Sequence, residues 1–118
     1  MADYWDSRLK EPCVYLPSNR RDGILYTGVT SDLYGRMSDH VDGVFEGFTK
    51  THKVKILVYY EFHPTMTVAI RREKRIKDWQ RAWKIRLIAG FNPEWLNLYC
   101  RETGEIMESS ADLQRARQ

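Results

Sequence analysis

The regular part of the chain opens with two short apolar runs separated by turn-forming residues. The first run, residues 13–16, is followed by Pro17, which cannot donate a hydrogen bond into a sheet and is expected to end the strand. Residues 18–23 contain Asn, Arg and an Asp-Gly pair, which are typical of turns. A second strand is predicted at residues 24–29. This pattern predicts a β-hairpin with a loop longer than the minimum.

Two further segments have a regular spacing of apolar residues. Between residues 33 and 41 an apolar residue recurs at every fourth position, which predicts a short helix with Ser31 or Asp32 as its N-cap. Residues 44–49 have no clean period and are expected to form a loop. A strand is predicted at residues 54–62 because apolar residues there alternate on one face. The members of that face are Val54, Ile56, Val58, Tyr60 and Phe62.

The second half of the chain is predicted to be mainly helical. With Thr65 or Thr67 as N-cap, a helical pattern continues to residue 89 as one helix or a pair of helices, and Gly90 is expected to stop it. Residues 92–100 begin with turn-forming residues and are expected to form a turn and a short helix.

The predicted order of elements is strand, strand, helix, strand, helix, helix. This order gives an α+β fold with a small, mainly antiparallel three-stranded sheet flanked by helices. A length of 118 residues is that of one domain. We expect this domain at residues 12–100, after a flexible leader at residues 1–11 and before a disordered tail at residues 101–118.

Composition places the chain among ordinary globular proteins, and charge adds one local feature. The hydrophobic fraction of 42% and the charged fraction of 30% exclude wholesale disorder. The net charge is only +3, but residues 71–86 contain eight Lys or Arg against Glu73 and Asp78 and so carry +6. A concentrated basic segment favours a polyanionic partner. The alternative, a solvated helix face, is the commoner outcome for a charge run taken alone.

Nothing in the sequence indicates a membrane or secreted protein. No apolar run approaches the ~20 residues that a membrane span needs, and the first twelve residues do not resemble a signal peptide. A cytoplasmic location is therefore expected. Cys13 and Cys100 are too few and too far apart for a zinc site or a disulfide framework, so both are expected to remain thiols.

Two pairs of polar side chains are candidates for chemistry. Tyr15 and Tyr26 lie on the two strands of the predicted hairpin, where they could meet as a structural aromatic pair or as part of a site. Arg36 and His40 lie one turn apart on the first helix, beside its apolar row. Two basic side chains at that position could grip a phosphate or could simply be exposed.

Glu73 is the sharpest candidate. On a helical wheel it lies within the apolar stripe that contains Ala69 and Ile76, so its carboxylate is predicted to face inward. A buried charge needs a partner. That partner could be Arg36 in a structural salt bridge, which is the commoner outcome, or a metal ion that prefers oxygen ligands.

These residues occur in an ordered set of motifs that resembles the GIY-YIG nuclease superfamily, and in particular its small stand-alone bacterial members, over residues 12–99. The resemblance departs from the usual first motif at Cys13 and Val14 and from the second at Thr27. The matching motifs are Cys13-Val14-Tyr15, Leu25 to Thr30, Asp32-Leu33 with Arg36 and His40, Glu46 to Thr49, Leu57 to Glu61, Ala69 to Trp79 around Glu73, Trp83-Lys84, Leu87-Ile88, and Asn92 to Trp95.

The resemblance implies a role for each matching residue. Tyr15 and Tyr26 would be the paired active-site tyrosines, Arg36 the phosphate-binding arginine and His40 a nearby polar helper. Glu73 would bind one Mg²⁺ or Mn²⁺ ion. The family's late asparagine would be Asn92 or Asn97, of which Asn97 is favoured. Gly28 would allow close approach of the nucleic acid, and the basic residues that would contact it with Arg36 are Arg71, Arg72, Lys74, Arg75, Lys77, Arg81 and Lys84.

The implied activity is metal-dependent hydrolysis of phosphodiester bonds in DNA, in a structure-specific or damage-related role such as repair or recombination. Tyr15 is expected to be the general base and Tyr26 to orient the water, although the sequence does not separate these roles. A tyrosine has a pKa of about 10, so nearby positive charge would have to stabilise its phenolate.

Two other interpretations remain open. The chain could be a non-catalytic nucleic-acid-binding module of the same fold, or a subunit that needs a protein partner for activity and docks through Trp79, Trp83 or Trp95. The helical spacing of the first two tryptophans favours packing against the sheet instead. We expect a monomer or weak dimer.

Overall fold

Side chains along the first strand alternate between the two faces of the sheet, and helices cover each face. The computed structural model describes residues 10–44, 47, 51–100, 102–103 and 105–107. The elements are β1 (Cys13–Ser18), β2 (Gly28–Thr30), α1 (Leu33–Asp42), β3 (Ile56–Phe62), α2 (Met66–Lys77), α3 (Arg81–Phe91), β4 (Tyr99–Cys100) and β5 (Glu105–Ile106).

The predicted α+β class is confirmed. An antiparallel three-stranded sheet has the order β2-β1-β3, and the helices follow in the predicted sequence. A second, two-stranded antiparallel sheet of β4 and β5 was not predicted. Three expectations fall mostly outside the described residues: the leader at 1–11, the loop at 44–49, and the tail at 101–118.

The first strand does not end at Pro17 as predicted. It continues to Ser18, because a β-bulge between Leu16 and Pro17 lets the ladder with β3 continue past a residue that has no N–H. The Pro17 carbonyl accepts a hydrogen bond from the N–H of Tyr26, at 3.1 Å. The second strand is shorter than predicted, and Leu25 forms only an isolated bridge with Ser18.

The same bulge makes the prediction of one apolar face on β3 wrong. Leu16 pairs with Tyr59 and Pro17 pairs with Leu57, so Val58 is the extra residue and the alternation changes phase there. Val58 consequently packs toward α2 and α3, whereas Tyr60 packs toward α1.

Two hydrophobic clusters cover the two faces of the sheet. Tyr15 on β1 belongs to the cluster that includes Leu33 and Met37 of α1. Its neighbours Val14 and Leu16 point the other way and join the cluster formed by α2 and α3. The two clusters place α1 on one face of β1, and α2 with α3 on the other.

Side-chain caps define where the first two helices begin. The Asp32 carboxylate accepts a hydrogen bond from the N–H of Gly35, at 3.1 Å, and the Thr65 hydroxyl accepts one from Val68, at 3.2 Å. Gly43, with φ of 69°, ends α1 in the left-handed conformation.

The helical region after Thr65 is a pair of helices, which was one of the two predicted alternatives. The predicted stop at Gly90 is wrong, because α3 includes that residue and ends at Phe91. The predicted short helix over residues 92–100 is also wrong. The buried Asn92 side chain bonds both the N–H and the carbonyl of Leu96, which closes a turn, and the chain then enters β4.

No helix in the described part of the chain combines the length and apolar character of a bilayer span. Cys13 and Cys100 are free thiols, as predicted.

Candidate functional site

Three rings from separate elements meet on the α1 face of the sheet. Tyr15 comes from β1, Tyr26 from the residues just before β2, and His40 from α1. The ring centroids lie 6.4 Å apart for the two tyrosines, 5.6 Å for Tyr15 and His40, and 5.7 Å for Tyr26 and His40. The Tyr15 hydroxyl and His40 Nε2 form a hydrogen bond of 2.8 Å. We call these three residues the ring cluster.

Gly28 gives the Tyr15 ring its place. The two residues are paired in the β1–β2 ladder. A Cβ atom at Gly28 would lie 2.6 Å from Cε1 and 2.7 Å from Cζ of Tyr15, which is too close for any side chain. The close approach expected at Gly28 is therefore made by the Tyr15 ring, and its contact with nucleic acid stays a prediction.

Burial and the charge of Arg36 shift the pKa values of Tyr15 and His40. Burial raises the pKa of Tyr15 well above its ordinary value, although the guanidinium of Arg36 acts in the opposite direction. Burial and then Arg36 lower the pKa of His40 from 6.5 to about 4. His40 is only 5% exposed and is therefore neutral near pH 7.

Glu73 faces inward, as its position on the helical wheel indicated. It is 8% exposed and lies between the buried Ala69 and Ile76 on α2. Its carboxylate pairs with Lys77 Nζ at 3.1 Å, one turn along the same helix, instead of with Arg36. Because α2 packs on the face of the sheet opposite α1, Glu73 and the ring cluster lie on different faces.

The two candidate asparagines have different surroundings. Asn92 is fully buried, and its side chain bonds the carbonyl of Val58 and the backbone of Leu96. Asn97 is exposed, while its side-chain oxygen accepts hydrogen bonds from the N–H groups of Leu57 and Tyr99. Asn92 is thus committed to the turn, and a catalytic role for Asn97 stays a prediction.

The basic residues fall into two groups. Arg72, Lys77 and Arg81 make contacts within the chain: Arg72 with Glu61, Lys77 with Glu73, and Arg81 with the carbonyls of Asp22 and Gly23. For the other basic residues, contact with nucleic acid stays a prediction. Arg71, Lys74 and Arg75 are exposed and form no ion pair within the described part of the chain. Lys84 is partly buried and donates a hydrogen bond to the carbonyl of Lys77, at 3.4 Å.

Sequence reasoning missed a polar network on the second face of the sheet. Glu61 accepts hydrogen bonds from Arg72 Nε at 2.9 Å and from the Tyr59 hydroxyl at 2.6 Å, and it pairs with His63 at 2.6 Å. Arg72 and the other partners lower the pKa of Glu61 against the effect of burial. Polar residues alternate at positions 59 and 61 of β3 and at position 63 just after it, which is the signal that could have revealed this network.

The expectation that both helical tryptophans pack against the sheet is wrong for one of them. Trp79 is partly buried against the α2 and α3 cluster, and Trp95 is buried within it. Trp83, by contrast, is 51% exposed. A spacing of four residues places Trp79 and Trp83 near each other, but it does not fix how far either is covered.

The part of the chain that contains these residues is similar to known proteins. The model of the GIY-YIG catalytic domain matches residues 11–86, a range that includes the ring cluster, Arg36 and Glu73. A UPF0213 protein of Staphylococcus aureus is 40% identical over 67 residues, which are 57% of this chain and 82% of the relative. A UPF0213 protein of Staphylococcus haemolyticus is 37% identical over 68 residues, 58% of this chain and 83% of the relative.

No solved structure gives a significant match. The domain match nevertheless covers more than half of the chain, and the relatives are small bacterial proteins, as the sequence motifs implied. This chain therefore belongs to the GIY-YIG family, a family of nucleases.

Proposed function

We propose that this protein is a metal-dependent endonuclease that hydrolyses phosphodiester bonds of DNA. The observation that carries the proposal is the hydrogen bond of 2.8 Å between Tyr15 and His40, within the ring cluster and beside Arg36. A phenol, a neutral imidazole and a guanidinium together can move a proton and neutralise charge, which are two requirements of phosphodiester hydrolysis. Membership of a nuclease family supports the same reaction.

His40 receives the proton in this proposal. In the tautomer that carries hydrogen on Nδ1, the neutral ring accepts the Tyr15 proton at Nε2. Burial opposes a free phenolate at Tyr15, so Tyr15 takes a proton from the attacking water as it passes its own to His40. Tyr26, the least buried member of the cluster, orients that water.

Arg36 couples substrate binding to this proton transfer. Its guanidinium donates to the non-bridging phosphate oxygens as their charge grows. The positive charge of Arg36 also helps to hold the pKa of His40 low. A phosphate bound at Arg36 offsets that effect, which raises the pKa of His40 and makes the imidazole a better base when substrate is present.

In this proposal Glu73 would be the protein ligand of one divalent cation. Within the described residues, no group of three or more His, Cys, Asp or Glu side chains could hold a metal ion. Mg²⁺ commonly keeps several waters and takes one or two carboxylates, so a single nearly buried carboxylate is a suitable ligand. Its present partner, Lys77, is exposed and can turn away. The ion, when bound, supplies charge that polarises the phosphate and stabilises the leaving 3′ oxygen.

In this proposal the two faces of the sheet contribute to one site across the sheet edge. Because β2 is an edge strand, a nucleic-acid backbone lying along it can contact Arg36 from one face and approach Glu73 from the other. The exposed residues Arg71, Lys74 and Arg75 on α2 add positive charge for the flanking phosphates.

The finer expectations belong to the same proposal. We expect a structure-specific or damage-related role in DNA repair or recombination, in the cytoplasm, with Mg²⁺ or Mn²⁺ as cofactor. We also expect the protein to act as a monomer or weak dimer, with a protein partner that targets it to its substrate.

Nicking of supercoiled plasmid tests the assignment of Arg36 and Glu73. Glu73→Gln and Arg36→Ala should each reduce the rate by roughly a hundredfold or more, whereas DNA affinity measured in EDTA should change little. Glu105→Gln and Arg21→Ala, which alter exposed residues of matched charge outside the site, should cut like the wild type. If Glu73→Gln cuts as fast as the parent in Mg²⁺, the metal assignment is wrong.

The same assay separates the main alternative. A non-catalytic binding module would bind DNA without nicking it in either Mg²⁺ or Mn²⁺, and Arg36→Ala would then matter only for affinity. Binding alone does not require two tyrosines, a histidine, an arginine and an inward-facing carboxylate together, so the catalytic function is favoured.

A further inference from the structure

A second concave surface lies on the face of the sheet opposite the ring cluster. It is a shallow, open cavity of about 560 Å³ that lies along α3. Pockets of this volume are within the range that small ligands occupy. We call it the tryptophan cavity, and its lining residues are Tyr59, Trp79, Trp83, Arg86, Leu87, Gly90 and Phe91.

Helical spacing explains why these residues share one surface. Trp83, Arg86, Leu87 and Gly90 lie at intervals of three and four residues along α3 and therefore on one face of that helix. Gly90 contributes no side chain, and a Cβ atom built there meets nothing within 4 Å. The absence of a side chain at Gly90 keeps that part of the cavity open.

The two tryptophans are held in a defined arrangement. Their ring centroids are 6.0 Å apart at an interplanar angle of 73°. The guanidinium of Arg72 lies 5.1 Å from the Trp79 ring centroid, and Glu61 holds that guanidinium with two hydrogen bonds. These contacts hold the Trp79 ring in place, whereas half of the Trp83 side chain is exposed to solvent.

The charge around the cavity indicates what kind of ligand it would take. Arg86 is exposed at its wall, and the segment 71–86 carries +6. An apolar peptide would gain nothing from this charge. Exposed aromatic rings among cations are the usual features of surfaces that bind unpaired nucleotides.

We propose that the tryptophan cavity binds an unpaired nucleobase of a DNA or RNA strand, with Trp83 stacking on the base and Arg86 contacting the adjoining phosphate. This inference rests on the proposed action on nucleic acid, but it does not depend on the cleavage chemistry. It adds a strand-recognition site on the face of the sheet that the ring cluster does not occupy.

Gly90→Leu is the most direct test, because it fills the cavity with a side chain that meets open space. Leucine also favours a helix over glycine, so the fold should be retained. The matched control is Gly90→Ala, which adds only a methyl group. Binding is measured in EDTA by quenching of tryptophan fluorescence, with single-stranded DNA and RNA probes of about ten nucleotides and with fully abasic strands of equal length.

The wild type and Gly90→Ala should bind the intact probes roughly tenfold more tightly than the abasic strand, the effect of about one stacking contact. Gly90→Leu should lose this preference while its affinity for the abasic strand is unchanged. A preference for DNA or RNA in the wild type would identify the source of the base.

Equal affinity of the wild type for intact and abasic strands would overturn the proposal, and plasmid nicking would then still decide the nuclease function by itself. If the wild type does not nick plasmid but binds intact strands more tightly than abasic strands, the proposed nuclease function is wrong and the nucleobase proposal is supported. If the wild type self-associates and Gly90→Leu is monomeric, the cavity is an interface between copies of the chain, and the nucleobase proposal is also overturned.

Discussion

Replacing His40 tests the electrostatics of the ring cluster through stability alone. His40 has a pKa of about 4 in the folded protein against 6.5 for an ordinary histidine. As the pH falls below 6.5, the unfolded chain binds a proton at this position that the folded chain does not bind. Stability is therefore lost as the pH falls from about 6.5 toward about 4, and it is unaffected by this residue above that window.

The magnitude follows from the two pKa values. Each pKa unit corresponds to about 1.4 kcal/mol, so His40 should lower the free energy of unfolding by about 2 kcal/mol at about pH 5 and by about 3 kcal/mol at about pH 4. His40→Gln can still accept a hydrogen bond from the Tyr15 hydroxyl, but it cannot titrate. The free energy of unfolding of the variant should therefore not depend on pH through residue 40, whatever its value at neutral pH.

Urea unfolding of both proteins at several pH values measures the effect. The carboxylates, including Glu61, contribute to both curves, so the difference in free energy of unfolding between wild type and His40→Gln isolates residue 40. This difference should shift in favour of the variant by about 3 kcal/mol across the window. Parallel curves for the two proteins would show that His40 titrates normally and would refute the assignment of a buried, neutral imidazole.

Two further predictions concern stability near the site. Gly28→Ala should destabilise the fold by about 1–3 kcal/mol, because its Cβ would collide with the Tyr15 ring, whereas Gly90→Ala meets open space and should not; equal melting temperatures for the two variants would contradict the packing described for Gly28. Thr27→Val should stabilise the protein by about 1 kcal/mol, because the buried Thr27 hydroxyl has no hydrogen-bond partner in the described part of the chain; a loss of stability in urea unfolding would indicate a partner after all.

Local periodicity was sufficient to predict the element order and the face of Glu73. Alternation along a strand and the i, i+4 spacing of a helix depend only on neighbouring residues, so Tyr15, His40 and the inward carboxylate could be singled out from sequence. The confirmed α+β order came from these same patterns, whereas the resemblance to the GIY-YIG family came from the ordered set of motifs.

Features that depend on a distant partner could not be predicted in this way. The bulge at Leu16 and Pro17 exists only in the pairing with β3, and it divides the predicted apolar face there. Strands of two residues, such as β4, are too short to have a period. The exposure of Trp83 depends on which elements cover α3, and the Tyr15–His40 hydrogen bond depends on how α1 lies on the sheet.

The central claim is that the Tyr15 hydroxyl takes part in cleavage by passing its proton to His40, and single-turnover cleavage by Tyr15→Phe measures it directly. Tyr60→Phe is the matched control, since Tyr60 is buried opposite Tyr15 in the sheet but donates to the backbone carbonyl of Met107. We predict that Tyr15→Phe loses roughly 10²–10⁴ in rate while Tyr60→Phe cleaves at close to the wild-type rate. Cleavage by Tyr15→Phe at the wild-type rate would contradict the account.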